Sequence, residues 1–170
     1  VFLGDNGPFD RYGDYIVCEP VGRLIRRAKI NKVKGKNVLS NVYPGQEFIA
    51  STDMNFRPVN SATGPDGALY IADWSNPIIQ HGEVDFRDKR RDHVHGRIWR
   101  LSYKGRAKVN KIDLTQLNVE GLLEKLKSPN GFQREKARRL LKERGEIKVL
   151  PMLKEWVSKQ VEEQILLEGL

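Results

Sequence analysis

The chain has 170 residues, a length that suits one ordinary domain or two small ones. Apolar residues make up 39% of the chain and charged residues 31%, which is an ordinary composition for a globular protein. No run of about 18 apolar residues occurs, so the sequence excludes a membrane-spanning helix.

The chain is basic, with a net charge of +8, and its lysines and arginines cluster at residues 23–36 and 87–91. Such clusters are one mark of a nucleic-acid-binding protein. The first cluster, however, lies on a predicted strand and its loop, and the second is interleaved with acidic residues. No set of base-stacking aromatic residues accompanies either cluster. We therefore expect no nucleic-acid partner and interpret both clusters as solvated surface.

Residues 15–30 predict the first pair of strands. Residues 15–19 are mostly apolar and end on an acidic residue, and residues 23–30 follow across the turn Pro20-Val21-Gly22. The stretch 31–41 is basic and polar, and we interpret it as the loop that leaves this hairpin.

A second pair of strands is predicted at residues 59–63 and 68–73, joined by the turn Pro65-Asp66-Gly67. Proline fixes φ, aspartate bonds its own backbone, and glycine permits a positive φ. Residues 97–103 are the predicted partner strand. The pattern Gly, Arg, two apolar residues and Arg opens this strand, and it also occurs at residues 22–26. Two copies of a strand-turn-strand unit are typical of propeller blades.

The connection from Trp74 to His95 is anomalous, because hairpin loops are usually about 2–5 residues long. It holds all three histidines of the chain. His93 and His95 are two apart, which places both side chains on one face of an extended segment. Together with His81 they form a candidate transition-metal site. The alternative is that these residues and the alternating acids and bases of 83–92 bond to one another and fix the loop.

Residues 107–116 form a connector, after which the apolar period changes to that of helices. A first helix carries an apolar stripe that ends at Leu126, and the break Ser128-Pro129-Asn130-Gly131 follows. A second helix is capped by Gly145. A third helix is predicted at 150–158, with Pro151 in its first turn, and a fourth begins near Val161 and continues to the last residue.

A shift of thirty residues superposes Leu123 on Leu153, Leu126 on Trp156 and Ser128 on Ser158. This indicates paired helices of the HEAT type, an α-solenoid. The predicted fold class is therefore mainly β plus α, with the last blades of a β-propeller followed by the start of a solenoid. The predicted domains are a partial propeller of about two blades at 1–106, a linker at 107–116 and truncated helical repeats at 117–170. Because two blades cannot close a propeller, we expect the chain to be a fragment.

Several stretches together resemble one family: YIVCEPVG at 15–22, FRPV at 56–59, residues 64–74, residues 81–100 and residues 132–141. They are similar to the membrane-bound dehydrogenase proteins of planctomycetes and related bacteria. Members of that family are secreted or envelope-attached. They combine a propeller similar to quinoprotein sugar dehydrogenases with HEAT-like repeats, and commonly with a cytochrome c domain. The resemblance therefore implies a periplasmic or extracellular protein.

The resemblance also implies cofactors. Pyrroloquinoline quinone and calcium would bind the parent propeller, and Asp53, Asn55 and Arg57 are the candidate contacts in this chain, since arginine suits a carboxylate of the quinone. The alternative is that Arg57 pairs with Asp53 and fixes the entry of a strand. Haem c would lie only outside this chain, because its single cysteine, Cys18, cannot make a Cys-x-x-Cys-His site.

Two functions follow as hypotheses. In the first, the parent protein is an oxidoreductase that acts on a sugar or alcohol and passes electrons to a haem domain, while the helical repeats dock that domain or a protein partner. In the second, the propeller and solenoid are a non-catalytic binding or scaffolding module of the cell envelope. For this chain alone we expect no turnover.

Overall fold

In a computed structural model, the protein is described over residues 14–80, 82–104 and 112–169. Within these ranges it is a mixed β and α protein with two antiparallel sheets, four α-helices and no closed barrel. All strands precede all α-helices along the chain. The combination of a β part with an α part is the one that the sequence predicts.

The first sheet has the order β1-β2-β3, with β1 at Tyr15–Glu19, β2 at Leu24–Val33 and β3 at Lys36–Asn41. A short strand β4, Ile49–Ala50, pairs with the beginning of β2. β1 and the first half of β2 form the predicted hairpin, in antiparallel register.

The stretch 31–41, predicted as a loop, instead forms the end of β2 and all of β3. A two-residue turn joins the strands at Lys34 and Gly35, whose φ angles of 49° and 76° are those of a tight hairpin. The loop prediction is wrong because strand formation depends on the pairing partner as much as on composition. The hydrogen bonds between β2 and β3 stabilise a strand that carries few apolar residues.

The second sheet has the order β5-β6-β7, with β5 at Pro58–Thr63, β6 at Leu69–Asp73 and β7 at Arg97–Leu101. β6 is the central strand and alternates between buried and half-buried residues. The first residue of β5, Pro58, pairs with Asp73, and the register shifts by a bulge before Asn60. The three strands lie close to their predicted positions.

The turn between β5 and β6 has the conformation that its sequence predicts. Gly67 has a φ of 72°, and its N–H donates to the carbonyl of Gly64 at 3.0 Å. The carboxylate of Asp66 accepts a hydrogen bond from the N–H of Ala68 at 3.2 Å. The ring of Tyr70 lies directly over Gly64, where an added Cβ would stand 2.2 Å from a ring carbon.

The two sheets share one apolar core. Its buried members are Ile25 of the first sheet, Leu69 and Ile71 of the second, and Phe56 from the segment that connects them. β1 lies against β5. Cys18 packs at the margin of this core, and burial raises the pKa of its thiol.

The helical part begins with a 3-10 helix at Leu114–Gln116 and continues with four α-helices. They are α1 Val119–Lys125, α2 Gly131–Arg144, α3 Glu146–Ser158 and α4 Glu163–Glu168. Their core is separate from that of the sheets and is built mainly from leucines: Leu114, Leu122, Leu123, Leu126, Leu140 and Leu141, with Ala137, Val149 and Trp156.

The third helix starts four residues earlier than predicted. Gly145, with a φ of 86°, ends α2 as expected and is also the residue before the first turn of α3. Pro151 is consequently inside α3 rather than in its first turn. α4 ends at Glu168, so it does not continue to the last residue. In the described ranges, no helix is both long enough and apolar enough to cross a bilayer.

We expect Gly64→Ala to lower the free energy of unfolding by about 2 kcal/mol, because the Tyr70 ring must move out of contact with the new methyl group. The matched control is Gly82→Ala, since a Cβ at Gly82 meets no atom within 4 Å and its φ is not in the positive range. Chemical denaturation followed by circular dichroism measures both. Equal stabilities of the two variants would contradict the close approach of Tyr70.

Candidate functional site

The connection between β6 and β7, residues 74–96, is the longest one in the sheets and is named here the insertion loop. His81 lies outside the described residues. The rest of the insertion loop has no regular strand or helix, so its conformation depends on side chains that bond the main chain. Three buried polar side chains do most of this: Asp73, Arg57 and Arg91.

Asp73 ends β6, and its carboxylate has no exposed surface. One oxygen, Oδ1, accepts the N–H groups of Arg57 at 2.7 Å and Ser75 at 2.9 Å. The other, Oδ2, accepts from the guanidinium of Arg97 and the indole N–H of Trp99, both at 2.8 Å. Burial by itself would raise the pKa of Asp73, but these hydrogen bonds outweigh it and hold the pKa below its usual range.

Arg57 is buried, and every nitrogen of its guanidinium donates to main-chain carbonyls. Nε donates to Asn76 at 2.9 Å, and Nη2 donates to Pro77 at 3.0 Å. Nη1 donates to Pro20 at 2.7 Å and to Val21 at 3.2 Å. The side chain therefore joins the β1–β2 turn to the start of the insertion loop.

The predicted pairing of Arg57 with Asp53 is wrong. Asp53 instead pairs with Arg97, at 2.7 Å between Oδ2 and Nη1, and its Oδ1 accepts the N–H of Asn55 at 2.9 Å. Since Arg97 also bonds Asp73, it connects the segment before β5 with the end of β6. In the described part of the chain, Nη2 of Arg97 is the one buried side-chain nitrogen or oxygen without a hydrogen bond.

Arg91 organises the middle of the insertion loop. It is buried, and its guanidinium donates to the carbonyls of Asp85 at 2.9 Å, Ile78 at 3.1 Å and Val84 at 2.8 Å, and also to that of Gln80. The ring of Phe86 lies 5.5 Å from the guanidinium carbon. The loop is therefore wrapped around one cation and is not held by carboxylate pairs alone.

Asn76 connects the two ends of the insertion loop. It is 2% exposed, its side-chain amide donates to the carbonyl of Asp92 at 3.0 Å, and its Oδ1 accepts the N–H of Ile78 at 3.1 Å. Together with Arg91 it fixes the main chain immediately before the two described histidines.

Asp92 and His95 form a hydrogen-bonded pair at the surface. Asp92 Oδ1 accepts the N–H groups of Val94 and His95, both at 2.9 Å, and its Oδ2 lies 2.9 Å from Nδ1 of His95. The two backbone hydrogen bonds are the main cause of the low pKa of Asp92, about 2. Asp92 is thus ionised at neutral pH and favours a proton on Nδ1, while the His95 side chain is 74% exposed.

These residues line a cleft of about 450 Å³ at the surface of the insertion loop. His93 borders it, with Nε2 at 3.4 Å from the carbonyl oxygen of Asp88. The cleft combines imidazole and carboxylate groups with aromatic and aliphatic surface, and its wall is formed by Trp74, Asn76, Phe86, Arg91, Asp92, His93, Val94, His95 and Gly96.

The predicted metal site cannot be assembled from the described residues. No group of three or more histidine, cysteine, aspartate or glutamate side chains converges there. His93 and His95 border one cleft, but the third candidate ligand, His81, lies outside the described ranges. The three-histidine metal site therefore stays a prediction.

The predicted contact between Arg57 and a quinone does not fit the structure. All three guanidinium nitrogens of Arg57 already donate to carbonyls inside the protein. Asp53 is bonded through both oxygens, to Arg97 and to the backbone of Asn55. A quinone carboxylate would have to break the bonds of Arg57, so Arg57 is structural in this arrangement. The Asp53 side chain is 43% exposed, and ligand binding by Asp53 and Asn55 stays a prediction.

The sequence did not predict that Arg57 and Arg91 donate hydrogen bonds to main-chain carbonyls. Nothing in composition or spacing reveals a buried arginine of this kind, because its partners are peptide groups that every residue possesses. Asp73 carried a signal, since it matches Glu19 at the end of β1. Both acids bond backbone N–H groups of the turn that follows, Glu19 to Val21 and Asp73 to Ser75.

We expect Asp73→Asn to lower the free energy of unfolding by about 3 kcal/mol. The NH2 group of the asparagine would face N–H donors that now bond the carboxylate, and the guanidinium of Arg97 would lose its buried negative partner. Asp53→Asn, which changes the exposed partner of the same arginine, is the control and should cost much less, because solvent screens that ion pair. Urea denaturation measures both. Similar losses for the two variants would contradict a central role for Asp73.

The carboxyl group of Asp92 should titrate near pH 2 in a carbon-detected NMR experiment. Its folded-state pKa is lower than that of an unfolded aspartate, about 3.9, so its contribution to stability is present above that value and is lost as the pH falls through about 2. In His95→Ala the pKa should stay well below the ordinary value, since the backbone N–H groups remain. A return to the ordinary value in this variant would show that the imidazole is the main cause.

Comparison with known proteins identifies one family. The family's model matches residues 1–105, which is more than half of the chain and contains all seven strands. No curated protein and no solved structure matches the chain. The chain belongs to the family described as Domain of unknown function (DUF7133).

Proposed function

We propose that this chain is part of a binding and scaffolding module of the cell envelope, in which propeller blades are followed by HEAT-like helical repeats. Two consecutive antiparallel units with a shared core support the blade interpretation. Successive helices around one leucine core support the repeat interpretation. The envelope location rests on the resemblance to the membrane-bound dehydrogenase proteins.

One observation favours a binding function over a redox function. The residue expected to hold the quinone carboxylate, Arg57, uses all three guanidinium nitrogens on main-chain carbonyls inside the protein. In the insertion-loop cleft, by contrast, the polar groups of Asp92, His93 and His95 face solvent. They are held by a loop whose main chain is fixed by Arg91 and so are positioned before a ligand arrives.

The insertion-loop cleft suits a sugar. The Asp92 carboxylate and Nε2 of His95 both accept hydrogen bonds, so together they match the O–H donors of a polyol. Phe86 is 62% exposed and Val94 84% exposed, which leaves apolar surface for the C–H face of a sugar ring. The combination of a few fixed polar groups with apolar walls is that of a small-molecule site.

Saturation-transfer NMR on the purified chain with a panel of neutral mono- and oligosaccharides tests this proposal. We expect at least one member to bind, and both His95→Ala and Phe86→Ala to weaken its affinity by about tenfold or more. Ile98→Ala is the matched control, because Ile98 is also exposed and apolar but lies on β7 outside the cleft. No binding, or binding that the cleft variants leave unchanged, would contradict the proposal.

A second candidate is that the parent protein is a quinone-dependent sugar or alcohol dehydrogenase. The Asp92–His95 pair favours it, since a carboxylate that holds Nδ1 leaves Nε2 of the imidazole to accept a proton from a substrate hydroxyl. The quinone carboxylate would be held by residues other than Arg57. A dye-reduction assay of this chain with added quinone, calcium and a sugar should show no turnover, and turnover lost in His95→Ala would favour this candidate over the scaffold.

A further inference from the structure

Among the described residues, β2 and β3 extend as a two-stranded ribbon beyond β1 and β4. β1 pairs with β2 only as far as Ala28, whereas β2 and β3 continue together from Ala28 to their turn at Lys34 and Gly35. Residues 29–41 are named here the basic ribbon. An isolated pair of strands is at most marginally stable in water, so a third strand would add to its stability.

The basic ribbon and the residues on either side of it carry several positive charges and no acidic residue. Residues 23–46 contain seven lysines and arginines and no aspartate or glutamate. The three arginines contact groups elsewhere: Arg23 the sulfur of Met54, Arg26 the carboxylate of Glu47, and Arg27 that of Asp14. The four lysines are exposed and form no ion pair within the described ranges: Lys29, Lys32, Lys34 and Lys36.

Apolar and basic side chains are mixed on both faces of the basic ribbon. In the observed register, one face carries Ile30, Leu39 and Lys32, and the other carries Val38, Val33, Lys29 and Lys36. The four apolar residues are each between 44% and 57% exposed. A membrane would contact only one face, and neither face is apolar enough to insert.

The outer edge of β3 is open. Among the described residues β3 pairs only with β2, and Lys36 to Leu39 are all exposed. In an antiparallel strand every second residue directs its N–H and C=O away from its neighbour, so this edge offers unused hydrogen-bonding groups. The side chains of a strand added at this edge alternate between the two faces of the ribbon. They therefore contact the apolar and basic residues on both faces.

We propose that the open edge of β3 binds an extended acidic segment of a partner protein by β-augmentation. Main-chain hydrogen bonds to β3 hold the segment, its carboxylates pair with the ribbon lysines, and its apolar residues cover Ile30, Val33, Val38 and Leu39. This surface is distinct from the insertion-loop cleft and does not depend on sugar binding there.

Lysines on an open edge also prevent pairing with other copies of the same strand. The two roles are compatible, since the charges that repel an identical ribbon attract an acidic one. Nucleic acid is disfavoured on this surface because the ribbon has no aromatic residue for base stacking and no free arginine for bidentate phosphate contacts.

Fluorescence anisotropy with the full 170-residue chain tests the proposal. The probe is a labelled, end-capped peptide of about eight residues that alternates glutamate and valine, which is enough for one strand. A peptide that alternates glutamate and proline has the same charge but lacks half of the N–H donors, and it is the control probe. We expect binding of the first peptide, weaker at high salt, and much weaker binding of the second.

The variant is Lys32→Glu/Lys34→Glu/Lys36→Glu, which should weaken binding about tenfold or more by turning three attractions into repulsions. Lys142→Glu/Lys148→Glu/Lys154→Glu makes the same charge change on exposed helix positions and should leave binding unchanged. Circular dichroism and thermal melts confirm that both variants fold, as expected for exposed sites.

Other results would overturn the proposal. Equal binding of the two peptides would mean charge attraction without strand addition. Tighter binding of duplex DNA or phosphatidylglycerol vesicles than of the alternating peptide, lost in the ribbon variant, would assign the surface to a different partner. No binding of the alternating peptide would leave the lysines as protection of an edge and nothing more.

Discussion

The carboxylate of Asp73 has no contact with solvent, and its four hydrogen bonds come from the start of β5, the turn after β6 and two side chains of β7. A buried charge is costly unless each of its acceptor positions is matched. The segments that supply these donors are thereby held in one arrangement. Arg97 extends the arrangement to Asp53, and the edge-to-face contact of Trp99 with Phe56 connects it to the apolar core.

Two buried arginines stabilise the insertion loop, which is long and has no regular secondary structure. Peptide carbonyls removed from water need donors, and Arg57 and Arg91 supply several each at fixed angles. The same use makes both side chains unavailable to a ligand. The chemistry that the described part of the loop can offer therefore lies at its surface, in Asp92, His93 and His95, on a main chain that the arginines keep in place.

The two surfaces that we propose for binding differ in character. The insertion-loop cleft combines an ionised carboxylate, imidazole and aromatic rings, which suits a small neutral ligand. The basic ribbon presents unpaired lysines beside an open strand edge, which suits an acidic peptide. The helices have their own core, which includes Trp156, and the indole N–H of Trp156 donates to Glu124 of α1 at 2.9 Å.

Most of the strands and helices could be predicted from the sequence, because their signals are local: the Pro-Asp-Gly turn with Gly67 at positive φ, the apolar stripe that places Leu122 and Leu123 in a core, and the Gly145 cap. The prediction missed β3, whose strand conformation depends on its pairing with β2. The predicted partners of Arg57 were also wrong, because residue types along the chain do not show that a guanidinium donates to main-chain carbonyls. Such partners depend on how the whole chain folds, since peptide groups distant in sequence must first be brought to within hydrogen-bond distance.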